Sequence, residues 1–135
     1  MHRLFLDANV LFTAAHNPDG KAAYLFDALK LKRWELVSSA YAIGEAHRNI
    51  AAKYPQRAAQ LEVLIGQLIE VGQPAPARMA LDLPEKDQPI YMAALSARAT
   101  HLLTGDMHHF GPHMNQPRNT GGIIIQTVAE FLAKC

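Results

Sequence analysis

Asp7, Glu45, Asp87 and Asp106 are the side chains in this sequence best placed to do chemistry together. Asp7 directly follows the apolar run Leu4-Phe5-Leu6. Asp106 follows His101-Leu102-Leu103 by way of Thr104-Gly105, where the glycine lets the backbone turn. Glu45 sits among small and apolar residues in Ile43-Gly44-Glu45-Ala46, and Asp87 stands just ahead of Pro89-Ile90. Each acid also has an ordinary structural reading. Asp7 suits a turn or a helix N-cap, Asp106 beside Gly105 suits a turn, and Glu45 suits a solvated surface. Taken singly, Asp87 reads as an N-cap. The set means more than its members, because carboxylates drawn together repel one another and resist ionising. A divalent cation would neutralise them. Oxygen-only ligands favour Mg²⁺ or Mn²⁺, ions that keep several waters and accept phosphate oxygens. Such an ion polarises a phosphoryl oxygen, furnishes a hydroxide nucleophile and steadies a leaving oxygen. It also draws a polyanion to a protein of little net charge. Asp19, Asp82 and Glu85 have nothing that lifts them above solvated surface.

The elements that would carry these acids alternate between strand and helix. Leu4-Phe5-Leu6 reads as a buried strand, and Asn9 to Ala15 as a helix closed by the turn Asn17-Pro18-Asp19-Gly20. Lys21 to Lys32 has Ala22, Leu25, Phe26 and Leu29 at helical spacing. Trp34 to Val37 reads as a strand. Ser38-Ser39 offers an N-cap for a helix from Ala40 to Tyr54, stopped by Pro55. Gln56 to Leu68 reads as a helix and Ile69-Glu70-Val71 as a short strand. The stretch from Gly72 to Ala77 is a loop rather than a domain linker. Pro89 suits the first turn of a helix to about Ala99. His101-Leu102-Leu103 and Ile123-Ile124-Ile125 are strands, and Thr127 caps a last helix to Ala133. The alternation predicts an α/β fold with a parallel sheet covered on both faces. Ligands of such sheets bind beyond the carboxyl ends of the strands, where Asp7 and Asp106 stand. If their two strands are neighbours, the carboxylates converge. The helices holding Glu45 and following Asp87 point their first turns toward the same edge.

Composition bounds the rest. The 135 residues are read as a single domain over 1–135, half of them hydrophobic and 19% charged, a balance unlike that of a disordered chain. A net charge of +1 and a pI of about 8.0 exclude a protein that holds nucleic acid by its overall field alone. The single cysteine, Cys135, excludes an intrachain disulfide and suits a reducing cytoplasm. No apolar stretch is long enough for a signal peptide or a membrane span.

The acids and their settings, in this order, resemble those of the PIN-domain nucleases, which include the toxins of VapBC-type toxin–antitoxin systems. The matching segments are Leu4-Phe5-Leu6-Asp7-Ala8-Asn9-Val10, Glu45-Ala46-His47-Arg48-Asn49, Lys86 to Leu95, and His101 to Phe110 with its strand-Thr-Gly-Asp signature. The resemblance implies a three-layer α/β/α sandwich with a central parallel sheet. It implies an acidic pocket binding Mg²⁺ or Mn²⁺, hydrolysis of RNA phosphodiesters, a cognate antitoxin as partner, and a homodimer. Carried over by position, Asp7 and Asp106 would be the main metal ligands, and Glu45 and Asp87 would hold coordinated water or a second ion. Thr104 matches a position whose hydroxyl orients the site, and Asn9 would assist it. Many members carry a further acid a few residues past the last Asp. This chain has Met107, His108, His109 and Phe110 there, so the resemblance leaves one ion or two open.

Two other functions fit the pattern less well. A haloacid dehalogenase-type phosphatase also opens with strand-Asp, but needs a second acid where this chain has Asn9, and more chain for a cap. A non-catalytic RNA- or protein-binding module on the same fold would not need four acids. Among the remaining residues, His108, His109 and His113 crowd one loop, yet without the paired spacing of a zinc site. A structural or supporting role is expected for them. Arg48, Lys53 and Arg57 would form an RNA phosphate-binding strip or a solvated helix face. Trp34 and Tyr41 are expected in the core rather than stacked on a base.

Overall fold

The computed structural model describes residues 1–79 and 81–135. Five strands, β1 (His2–Leu6), β2 (Trp34–Ser39), β3 (Ile69–Val71), β4 (His101–Leu103) and β5 (Ile124–Gln126), form one sheet in the order β3-β2-β1-β4-β5. Every pairing is parallel. Among the described residues seven α-helices flank it: α1 (Ala8–His16), α2 (Lys21–Asp27), α3 (Ala40–Lys53), α4 (Ala58–Ile65), α5 (Gln88–Ser96), α6 (Met107–Phe110) and α7 (Val128–Ala133). Among the described residues no helix is long and apolar enough to cross a membrane.

The period-2 alternation of strand side chains divides the core into two layers. Leu4, Leu6, Leu36 and Leu103 face one way, against Leu11, Ala14, Leu25, Ile50, Leu61 and Phe131 of the helices on that side. Phe5, Val37, Leu102 and Ile125 face the other way, against Ile90, Ala93, Ala94 and Phe110. This is the α/β/α sandwich with a parallel sheet that the sequence predicts. Trp34 lies in the first layer, 3% exposed, its indole N–H donating to the Leu25 carbonyl at 3.0 Å.

The chain builds outward from β1 to β2 and β3, then returns across β1 to build β4 and β5. That reversal splays the connections leaving β1 and β4 to opposite faces, and a crevice opens between the ends of those two strands. Asp7 and Asp106 lie beside it.

Several boundaries differ from expectation. The helix begun at Lys21 tightens into a 3₁₀ turn over Ala28–Leu31, ended by Lys32 in the left-handed region at φ 55°. Gln56 to Leu68 is helical only over Ala58–Ile65, after a 3₁₀ turn at Pro55–Arg57. The helix from Gln88 stops at Ser96, because Arg98 takes φ 56° and the Ala99 amide folds back to the Ala94 carbonyl. The last strand starts at Ile124, since the Ile123 amide is committed to the Thr120 carbonyl in the preceding turn.

Ser39 caps α3 as predicted, its hydroxyl accepting from the Ala42 amide at 3.2 Å while fully buried. Ser39→Ala is expected to lower stability by about 1 kcal/mol, the usual value of an N-cap. Denaturant unfolding with an unchanged m-value checks this, and an unshifted midpoint would show that the cap contributes nothing.

Candidate metal centre

Asp7 is placed by β1. Its amide bonds to the Leu103 carbonyl at 3.1 Å, which ties the ends of β1 and β4 together. The side chain is 4% exposed and is held at both oxygens. Oδ1 accepts from the Ala8 amide at 2.7 Å and so caps α1. Oδ2 accepts from the Thr104 hydroxyl at 2.8 Å and from Asn9 Nδ2 at 3.2 Å. The fully buried Thr104 hydroxyl in turn accepts from the Asp106 amide at 3.0 Å and from Asn9 Nδ2 at 3.2 Å. Asn9 closes the ring of contacts, its Oδ1 accepting from the Gly105 amide at 2.7 Å. A side chain at Gly105 would come within 3.3 Å of that oxygen, so glycine leaves Asn9 its place.

Asp106 caps α6, Oδ1 accepting from the His109 amide at 3.0 Å and Oδ2 remaining free of the cap. Asp87 holds the N-cap position of α5, but its side chain makes no capping bond. The expectation that Asp87 is simply a cap therefore fails. It is instead 8% exposed, with Oδ2 lacking any hydrogen-bond partner. Glu45, in the second turn of α3, completes the group. It joins Asp7, Asp87 and Asp106 in lining a cleft of about 400 Å³.

Burial raises the Asp7 pKa to about 6. The Thr104 and Ala8 hydrogen bonds oppose the rise, and the charges of Glu45 and Asp87 add to it. Burial also raises the Asp87 pKa, against the pull of His109 and with the push of Asp106. Both shifts come first from burial, and the neighbouring acids add to them. The positive ends of α1 and α5 point at the group and offset part of this repulsion. A hard divalent cation would supply the missing charge. The donors fit it: carboxylate oxygens, one of them buried and unpartnered, around a cleft open to solvent.

The other predicted residues scatter. Arg48 is exposed on the face of α3 that carries Glu45, three residues on. Lys53 lies with its ammonium 5.6 Å from the Phe12 ring centre, toward the far end of the same helix. Arg57 is in the 3₁₀ turn beyond. Tyr41 is half-buried, packed against the edge of the second core layer, its hydroxyl donating to the Lys86 carbonyl at 2.7 Å. Glu45 and Asp87 are among the charges acting on it, so it borders the acids. His113 turns away to the Asp82 carbonyl and His108 is exposed.

Sequence reasoning missed two residues of the cleft and one beside it. Lys86 and Thr13 line it. The Lys86 signal was its adjacency to Asp87; Thr13 had only its place one helical turn after Asn9. The third is His109, whose Nδ1 lies 2.8 Å from Asp87 Oδ2 and 2.9 Å from Asp106 Oδ2. Its i+3 spacing from Asp106 on a helix was the available clue.

Comparison with known proteins gives this geometry a family. The family model described as PIN domain matches residues 3–108. Two solved structures share the fold at 16% sequence identity each. One is VapBC2 from Rickettsia felis bound to a DNA fragment from their promoter, with a TM-score of 0.65 over 93% of this chain and 98% of that one. The other is VapBC-1 from nontypeable Haemophilus influenzae, with a TM-score of 0.57 over 94% and 98%. No curated protein matches in sequence. Matched over most of its length by the family model, with four acids lining a cleft at the reversal of its sheet, the chain belongs to the PIN-domain family.

Proposed function

We propose that this protein is a metal-dependent endoribonuclease that hydrolyses RNA phosphodiester bonds in the cleft between β1 and β4. We propose further that it is the toxin of a type II toxin–antitoxin pair, acting in the cytoplasm. The observation that carries the first reading is the convergence of Asp7, Glu45, Asp87 and Asp106, drawn from four separate elements onto one 400 Å³ cleft. The toxin reading draws on family membership and on the fold shared with VapBC complexes, and it implies an antitoxin partner.

When bound, Mg²⁺ or Mn²⁺ supplies Lewis-acid polarisation of a phosphoryl oxygen and lowers the pKa of water. The chain's own residues do the positioning. Asp7 and Asp106 would hold the ion from beyond the ends of neighbouring strands, with Asp87 beside them. Thr104 and Asn9 fix Asp7 by donating to its Oδ2. Glu45 reaches in from α3 and orients water for in-line attack. Lys86 at the cleft, with Arg48 on α3, offers positive charge to flanking phosphates, local grip that the net charge of +1 does not provide.

Purified protein is expected to cut RNA with Mn²⁺ present and to stop with chelator. Millimolar Mn²⁺ is also expected to raise the melting temperature, because the ion binds the folded site and not the unfolded chain. At a hundred times its Kd the stabilisation is about 2.7 kcal/mol. An unshifted melting curve together with chelator-resistant cleavage would refute the metal-dependent reading.

A further inference from the structure

We propose that His109 is itself a ligand of the ion, so that Asp87, Asp106 and His109 form a mixed oxygen–nitrogen set that prefers Mn²⁺ to Mg²⁺. The inference rests on the metal-dependent reading above and deepens it. Sequence alone favoured oxygen donors and gave His109 a supporting role.

Three observations carry it. Ligand atoms, one from each of Asp87, Asp106 and His109, converge, all within 4.8 Å of one another. His109 Nδ1 is 2.8 Å from Asp87 Oδ2 and 2.9 Å from Asp106 Oδ2. Two ligands at right angles on an ion with bonds of about 2.1 Å are separated by about 3 Å, so these spacings suit neighbouring positions around one octahedral ion. Next, the contact is close but not a hydrogen bond. An imidazole N–H lies in the ring plane and points one way, and here neither Nδ1 nor Asp87 Oδ2 has a hydrogen-bond partner, although both atoms are buried. An arrangement built only to bridge two carboxylates would aim the N–H at one of them. Lastly, the loop holds the groups in place without using these atoms. The His109 amide occupies Asp106 Oδ1, leaving Oδ2 and the ring nitrogen on the same side. Asp87, 92% buried, does no capping work that would explain its position.

Nitrogen in the set changes the preferred ion. Carboxylate and water suit Mg²⁺, whereas imidazole binds first-row transition ions better. His109 must present Nδ1 without its proton to bind.

The test is pulsed electron paramagnetic resonance on the Mn²⁺-loaded protein. A ¹⁴N hyperfine coupling is expected in wild type, replaced by a ¹⁵N coupling when the histidines alone are labelled, and lost in His109→Gln. Even groups one shell out from a metal change affinity by about 10- to 100-fold. His109→Gln is therefore expected to weaken Mn²⁺ binding at least about tenfold, with a much smaller loss for Mg²⁺. Circular dichroism checks the variant's fold, and the labelled wild type decides the question if the variant does not fold. Mn²⁺ bound without nitrogen coupling, or coupling that persists in the variant, overturns this inference and leaves the metal centre standing. Failure of wild type to bind Mn²⁺ overturns both.

Discussion

Asp7→Asn is expected to end RNA cleavage while making the metal-free protein progressively more stable, relative to wild type, as pH rises from about 4 to about 6. The activity loss is at least about 10²-fold, since the ion it helps hold contributes several kcal/mol to the transition state. The stability effect follows from linkage. The Asp7 pKa is raised from 3.8 to about 6, mainly by burial. Below pH 4 the carboxyl is protonated in folded and unfolded chains alike. Between the two values the folded state keeps a proton that the unfolded state has released, so stability is lost as pH rises through that window. The full loss is about 3 kcal/mol, reached above pH 6. Wild type alone would not reveal it. His101, at the start of β4, has its pKa lowered to about 4 by burial and by His2. Its contribution has the opposite sign: present above pH 6.5 and lost as pH falls toward 4. The two slopes oppose each other. Asp7→Asn keeps His101, so the difference between the two proteins, measured by denaturant unfolding in chelator across pH 4 to 7, isolates Asp7. Any fixed cost of misplaced hydrogen bonds in the variant cancels from this slope. A difference that does not change with pH would show that Asp7 ionises freely and that the site is not crowded.

Thr104→Val should cost about 2–4 kcal/mol of stability and most of the activity. Valine matches threonine in shape, so packing is conserved and the hydroxyl alone is tested. That hydroxyl, fully buried, donates to Asp7 and accepts from the Asp106 amide and Asn9. Removing it strands the part-buried Asp106 amide and takes one donor from the buried Asp7 carboxylate, at about 1–3 kcal/mol each. It also removes the largest influence holding the Asp7 pKa down, so that pKa rises further and protons compete better with metal near neutrality. Thr104→Ser restores the hydroxyl and loses only a methyl group, about 1 kcal/mol; it should recover cleavage and Mn²⁺ binding. A valine variant as stable and active as wild type would remove Thr104 from the site.

Sequence showed the site only where chemistry and local structure coincide. Asp7 and Asp106 each end a short apolar strand, and that pattern needs no knowledge of the fold. Their meeting depended on β1 lying beside β4, a neighbour relation that no local pattern encodes. Asp87 was ambiguous because an acid ahead of a helix start is also what a cap looks like; the missing capping bond settles its geometry. Tyr41 was only partly legible because an aromatic at a helix start suits a core as well as a rim. Its hydroxyl found the Lys86 carbonyl, in a segment 45 residues away. His109 stayed hidden among three histidines of one loop, and only the turn of α6 distinguishes it. Helix ends were least legible where residues without glycine's freedom, Lys32 and Arg98, take the left-handed conformation that stops the helix.

The bond between Thr104 and Asp7 joins residues 97 apart in the chain. Ribosomes add about 5–20 residues per second, so a nascent chain carries Asp7 for roughly 5 to 20 s before Thr104 is made. During that interval β1 has no neighbour on one side and the acid has neither its hydroxyl partner nor Asp106. On the proposed function, the polypeptide stays inert toward the message being translated until its last third emerges. On that proposal, strand order would set when the molecule could begin to act.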